Sequence, residues 1–330
     1  MLVVLGHVGE AEGWNSSGVL LGKLLCALIG NSTVPFMFVS GFLFQHLSAR
    51  FRYGDYLARR FRHVVLPYLI VSIPALVYQY VRHVGIFAGE NQQHPVAITL
   101  LAYATGAHMP IPLWYIPVIV LFYLTAPLFL AVDRDPAWFW VIVPATVVAM
   151  FLHRSHGHRC VWQSALYFLP VYLTGVWASH YREALLEWVE RWRWWLLATA
   201  VGLFVSEVLL GSTGPIYSQN PFSSEKGVVD LDLPVKLLFT LLLLEWLRRH
   251  DATVRGWLAW AADASFGLFF LHEYVIQAAE GFARMTRQVF CHPGLAVVVL
   301  SPLAVLASTM LGVRLVQRIL GKWSRLAIGC

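Results

Sequence analysis

The sequence predicts an all-α polytopic membrane protein with about ten transmembrane helices, and three observations predict it. Its residues are 58% hydrophobic and 14% aromatic with only 13% charged, roughly half the charge of an average soluble domain. Apolar stretches recur along the whole chain, several approaching the ~20 residues that carry a helix across ~30 Å of hydrocarbon. Between them, basic residues gather on alternate loops. No stretch has the short apolar core and small-residue cleavage site of a removable signal peptide.

The chain opens on the apolar stub MLVVLGHVGE. Met1 to Val8 offers about 12 Å of helical rise, less than half the hydrocarbon thickness, so the first helix is expected to be truncated. Further spans are expected at 31–47, 64–80, 113–132, 137–152, 166–179, 194–210, 234–247, 264–279 and 295–313. The piece 100–105 is expected to be re-entrant or interfacial, because the uncharged stretch 95–107 around it is too short to cross comfortably. Loop parity then puts 16 of the 24 Lys and Arg residues on one face, at 50–62, Arg134, 182–193, 248–255 and beyond Val313, and seven on the other. By the positive-inside rule both termini are cytoplasmic. This bias accounts for the net charge of +6 without nucleic acid as a partner. Short loops leave no room for a soluble domain, and no period of about 20–50 residues suggests a repeat array. Residues 1–330 are therefore expected to form a single integral-membrane domain.

Ionisable groups at membrane depth are expensive and mark function by default. His7 is the first of them, although a histidine that meets water at the helix end would look the same. His272 and Glu273, in FGLFFLHEYV, sit well within an expected span. Neighbours on a helix point about 100° apart, so these two are expected to serve different partners; an inter-helix hydrogen bond is the structural alternative for His272. Arg59, Arg60 and Arg62 stand in YLARRFRHVVLPY at the cytoplasmic entrance of the third helix. They suit positive-inside anchoring, and their planar guanidinium groups equally suit a phosphate-bearing cytosolic ligand. Arg59 and Arg62, three apart, are expected to share a face. Ser40 beside Gly41 fits close helix packing better than a nucleophile. The cluster His153, His156, His158 and Cys160 has no enforced tetrahedral geometry, so no metal is expected. Cys160 and Cys291 fall in expected outer loops, where an oxidising compartment would permit pairing.

Taken in order, VVLGH, VPFMFVSGFLF, YLARRFRHVVLPY, PLWYIPVIVLFYLTAPL, ALYFLPVYLTGVWAS and SFGLFFLHEYV resemble the acyltransferase-3 family of integral-membrane O-acyltransferases. The resemblance implies transfer of an acyl group, commonly acetyl, from cytosolic acyl-coenzyme A (acyl-CoA) to a hydroxyl of a glycan, a lipid-linked sugar or a small hydroxylated acceptor. By position His7 matches the family's essential first-helix histidine, Arg59 and Arg62 its RxxR pair, and His272 a histidine common in its late helix. His7 is then expected to act as general base, with a covalent acyl-histidine as a variant. Glu10, three residues on, orients the imidazole or is a solvated loop charge. Trp114 and Tyr115 line the acceptor path or belong to an interfacial aromatic belt. The outer loop 211–233, with Pro215, Tyr217, Asn220, Pro221 and Asp230, contacts the acceptor or merely connects two spans. The expected location is the bacterial cytoplasmic membrane. Ten helices with intramembrane His, Glu and Lys would also suit a transporter or flippase of a polar or lipid-linked substrate, but the sequence lacks the internal duplication of hydropathy that many transporters carry.

The family pattern places a basic residue about eleven positions before the histidine, whereas this chain begins six residues before His7. In-frame DNA upstream of Met1 is expected to encode about a dozen more residues, enough to lengthen the first helix toward a full span, with an Arg or Lys roughly eleven before His7. Sequencing that region checks it, and a stop codon or an unrelated frame there defeats it.

Overall fold

An apolar chain without water to satisfy its backbone must close its hydrogen bonds within each segment, which selects helix. The computed structural model of the chain, described for residues 2–11, 20–106, 112–155, 160–209, 216–218, 220–222, 229–285 and 295–330, is accordingly all-α. A two-residue parallel pairing, Arg154–Ser155 with Tyr217–Ser218, is the exception.

The first helix, α1 (Leu2–Ala11), packs with α2 (Leu20–Ile29) and lies against α13 (Asp251–Met285) and α14 (Leu295–Leu320). Val4 and Val8, one turn apart, bury against Ile276 and Val305. No helix was expected at α2, whose ten residues include Lys23 and are too short to read as a span. Asn31, left-handed at φ 51°, ends α2, and α3 (Thr33–His46) follows. Asparagine tolerates that conformation better than most residues.

The centre of the bundle is α10 (Val161–His180), buried along most of its length, with α3 laid across it. Two glycines make that crossing. A Cβ at Gly41 would lie 2.1 Å from the Tyr172 carbonyl oxygen, and one at Gly175 would lie 2.1 Å from that of Phe38. Close backbone approach through small residues is how helices associate in lipid, where apolar burial alone gives little drive. Beside the crossing, Phe122 and Phe129 pack on Tyr172 with ring centroids 4.9 and 4.7 Å away.

Around this pair, α4 (Tyr53–Arg60) runs through a π-helical turn at Phe61–Val65 into α5 (Leu66–Arg82). The helix α6 (Pro95–Thr105), of 11 residues, is as short as its uncharged stretch implied, and it stops at Gly106 with φ 71°. The span expected at 113–132 is broken: α7 (Tyr115–Leu124) and α8 (Ala126–Arg134) meet at 57°. The break falls at Thr125, whose hydroxyl bonds back to the Leu121 carbonyl, ahead of a proline in the first turn of α8. At 137–152 a 3₁₀ stretch, Pro136–Val141, precedes α9 (Ile142–Phe151).

The basic residues at 182–193, expected as a loop, are the first turns of the 28-residue α11 (Arg182–Leu209). Likewise 248–255 is helical except at His250, which separates α12 (Asp232–Arg249) from α13. Glu190 of α11 ties these helices together, 2.6 Å from Arg248 and 2.7 Å from Arg249.

By length and composition, four of the described helices can cross a membrane: Ala27–His46, Tyr53–Phe87, Arg182–Leu209 and Leu300–Ala327; the bent pair α7 and α8 makes a fifth if it is one span. Against the ten expected, the shortfall has a physical cause. Helices such as α10 face protein on all sides and carry Gln, Ser, Thr and Tyr, which lowers their hydropathy, while α7, α8 and α9 are each too short alone.

Replacing Gly41 or Gly175 by Ala is expected to cost about 1–3 kcal/mol through overpacking at the α3–α10 crossing. Gly202→Ala, where a Cβ meets nothing within 4 Å, is expected to be neutral or mildly stabilising. Thermal unfolding midpoints in one detergent check this, and equal midpoints for Gly175→Ala and the unsubstituted protein would refute the crossing.

Candidate active site

Burial of α1 against α13 brings two sequence-predicted histidines together. The His7 and His272 rings stack with centroids 5.4 Å apart and planes at 11°. His272 is fully buried, and its Nδ1 lies 2.9 Å from the Leu268 carbonyl oxygen. A carbonyl only accepts, so the neutral ring carries its proton on Nδ1 and its lone pair on Nε2. That Nε2 is buried and has no hydrogen-bond partner among the described residues. Glu273 points elsewhere: Gln277, one turn on along α13, donates to its Oε1 at 2.9 Å. Glu10 lies in the last turn of α1, and its side chain falls outside the described residues.

The same layer continues through aromatic contacts to two more predicted residues. Phe269 lies 6.4 Å from His272 and 5.9 Å from Tyr115, and Phe36 packs on Tyr115 at 4.8 Å. The Ser40 hydroxyl donates to the Phe36 carbonyl at 3.0 Å, leaving its oxygen to accept from the Tyr115 hydroxyl at 2.9 Å. Its hydrogen-bonding capacity is thus spent on structure. Trp114 and Tyr115 are both buried, so they face protein and not a lipid interface.

Trp114 is covered by Arg154, a residue that sequence reasoning passed over inside a histidine-rich segment. The Arg154 guanidinium sits 4.5 Å above the Trp114 ring and 5.1 Å from Phe168, while its Nη1 donates to Asn31 at 3.1 Å. Asn31 in turn donates to the Tyr167 hydroxyl at 3.0 Å, and Tyr167 donates to Asp230 at 2.8 Å. Beside them the Lys236 ammonium reaches the Ala27 and Leu28 carbonyls at 2.7 and 2.8 Å and Asp232 at 3.2 Å. Lys236 thereby satisfies carbonyls at the C-terminal end of α2 that no further helical turn can reach. A usable signal existed in the sequence: Asp230, Asp232 and Lys236 flank the start of an apolar helix, where charge is expensive. His153 is buried beside Arg154 with its carbonyl accepting from Gln163. His156, His158 and Cys291 lie outside the described residues.

At the other end of the bundle, Arg60 and not the Arg59–Arg62 pair faces inward. Arg59 and Arg62, expected to converge, are exposed. Arg60 turns in, its guanidinium 5.1 Å from the Tyr56 ring centroid and 5.2 Å from that of Tyr123. A π turn takes more residues per revolution than an α turn, so spacing of three across this junction no longer means a shared face. Arg60 and His63 instead line a cavity of about 550 Å³ with Asp263 and Phe266 of α13 and residues of the C-terminal segment. From Phe266 to His272 is about 9 Å along α13.

Residues 1–313 match the acyltransferase-3 family, described as an acyltransferase domain. The chain belongs to that family of acyltransferases, and its long apolar helices make it an integral membrane protein. No curated protein and no solved structure matches it.

Because the Ser40 hydroxyl is engaged on both sides, Ser40→Ala is expected to keep acyl transfer within about threefold of wild type, far from the loss of ~10² or more that removing a reacting group brings. Loss on that larger scale, at equal membrane abundance, would make Ser40 a reacting group.

Proposed function

We propose that the protein is a membrane-embedded O-acyltransferase that moves an acyl group, acetyl by default, from acyl-CoA to a hydroxyl of a carbohydrate or related acceptor. A glycan, a lipid-linked sugar and a small hydroxylated molecule all fit that class. The stacked pair of His7 and His272 carries the proposal, because an imidazole held inside an apolar bundle offers a ring nitrogen that can take a hydroxyl proton.

In the proposed step, His7 takes the proton of the acceptor hydroxyl as its oxygen attacks the thioester carbonyl. The tetrahedral intermediate expels the coenzyme A (CoA) thiolate, which takes the proton back from the His7 imidazolium. His272, held in one tautomer by Leu268, presents an accepting nitrogen beside that exchange and orients the hydroxyl. Arg60 binds donor phosphate at the cavity, and Arg59 and Arg62, exposed at the same entrance, attract it electrostatically. Tyr115 and Trp114 shape the acceptor side.

Ten crossings with both termini in the cytoplasm of a bacterial cell are part of the proposal, with α7 and α8, bent at 57°, taken as one crossing in two joined pieces and the other short helices crossing likewise. Donor and acceptor then approach from opposite faces. The distribution of arginines supports this orientation.

The test follows labelled acetate into base-labile O-esters of glycans, lipids and secreted small molecules. Cells lacking the native protein carry wild type or His7→Ala at equal membrane abundance. Label is expected with wild type and reduced by ~10²–10⁴ with His7→Ala, the usual worth of a general base. Equal labelling removes His7 as the base. Absence of label in both sinks the acyltransferase and leaves the transporter or flippase.

A further inference from the structure

Besides Ala262, Asp263 and Phe266 of α13, the cavity at the basic end has two walls, and only one belongs to the arginine segment discussed above. Arg60, His63 and Val64 form the first. The second comes from the end of the chain, where Arg314 and Gln317 of α14 and Ser324, Arg325, Gly329 and Cys330 of the closing segment face the same space. That segment is folded onto the bundle. Its helix α15 (Ser324–Ala327) packs on α5, Ile328 is buried in the main core, and a Cβ at Gly267 of α13 would lie 2.6 Å from the Cys330 sulfur. Residues 314–330 lie beyond the 1–313 matched by the family.

The charge balance of the cavity is lopsided. Arg60, Arg314 and Arg325 contribute three guanidinium groups and His63 a fourth basic group, against the single carboxylate of Asp263. None of the three arginines makes an ion pair among the described residues; Arg314 donates to Gln317 at 3.2 Å, and Arg60 rests on Tyr56 and Tyr123. Arg248 and Arg249, by contrast, are both paired with Glu190. Guanidinium groups left without carboxylates around one space suit an anion with several oxygens, and phosphate above all.

We infer that Arg314 and Arg325 are donor-binding residues, forming with Arg60 a site for the phosphate groups of the CoA nucleotide; this rests on the proposed acyl-CoA donor. Arg314 and Arg325 are exposed, whereas Arg60 is partly buried beneath the aromatic rings. The nucleotide therefore stays at the mouth, held by the C-terminal arginines, while the thinner acyl-pantetheine arm passes Phe266 toward His272.

The experiment measures binding of CoA and 3′-dephospho-CoA to full-length protein in nanodiscs of zwitterionic lipid, for wild type, Arg314→Gln, Arg325→Gln, the double variant and Arg318→Gln. Arg318 has the same charge but is outside the cavity lining. Each single variant is expected to weaken CoA binding about tenfold, the scale of one charge-assisted phosphate contact, and Arg318→Gln to leave it unchanged. The double variant is also expected to lose the preference for CoA over the 3′-dephospho form, which an unfolded or merely loosened C-terminus would not do selectively. Wild-type affinity in the double variant overturns the assignment and leaves the acyltransferase proposal standing. Failure of wild type to bind CoA at all overturns both. Wild-type affinity that collapses when phosphatidylglycerol is added to the nanodiscs, without change in the double variant, assigns these arginines to lipid headgroups and overturns the inference.

Discussion

One end of the bundle hangs on a cluster of buried charge, in which Lys236 caps the end of α2 and Arg154 holds Asn31 and Trp114. Two cations and the carboxylates of Asp230 and Asp232 are all nearly inaccessible. Removing one member of such a set leaves its partner charged and dry, which typically costs about 3–5 kcal/mol. The cluster also fixes geometry. Asn31 is the point where α2 gives way to α3, and through Tyr167 and Asp230 it sets α3 against α10 and α12. The glycine crossing of α3 on α10 lies on the cytoplasmic side of this anchor, in the orientation proposed for the chain.

From that crossing the rest of the site follows by contact. With α3 held down, Phe36 and Ser40 meet Tyr115, and Tyr115 meets Phe269 of α13. One turn further along α13, His272 stacks on His7. A polar layer is thus built inside an apolar bundle without leaving hydroxyls idle, since Ser40 and Tyr115 answer each other and Gln277 answers Glu273. Among the described residues the Nε2 of His272 has no hydrogen-bond partner, and the function proposed above gives that accepting nitrogen the task of orienting the acceptor hydroxyl.

Helix α13 links this layer to the basic cavity. Asp263 and Phe266 face the cavity while Phe269 and His272 face the histidine pair. Two breaks lie in neighbouring helices: Arg60 closes α4 and His63 lies in the π turn that follows, both lining the cavity, and the 57° bend at Thr125 ends α7 just past Tyr123, on whose ring Arg60 rests. Each break costs regular hydrogen bonds, and side chains such as Thr125 recover part of that cost.

Composition and periodicity were enough to make the chain an all-α membrane protein, because apolar length is a local property that lipid selects directly. The order of motifs carried the family, and the small-residue role of Gly41 was legible from its neighbours alone. The sequence could not reveal that His7 and His272, 265 positions apart in the chain, lie ring on ring. Nor did it foretell that Arg60 and not the Arg59–Arg62 pair faces inward. Pairing across the bundle depends on how α1 lies on α13, and the facing of Arg60 on how α4 lies against Tyr123 of α7. Arg154 was hidden for the same reason: its partners Asn31, Trp114 and Tyr217 come from three separate segments, and only packing brings their polar groups together out of water. Local physics therefore determined the class of helix and the residue types that mark a site, while the tertiary structure decided which of those residues share one.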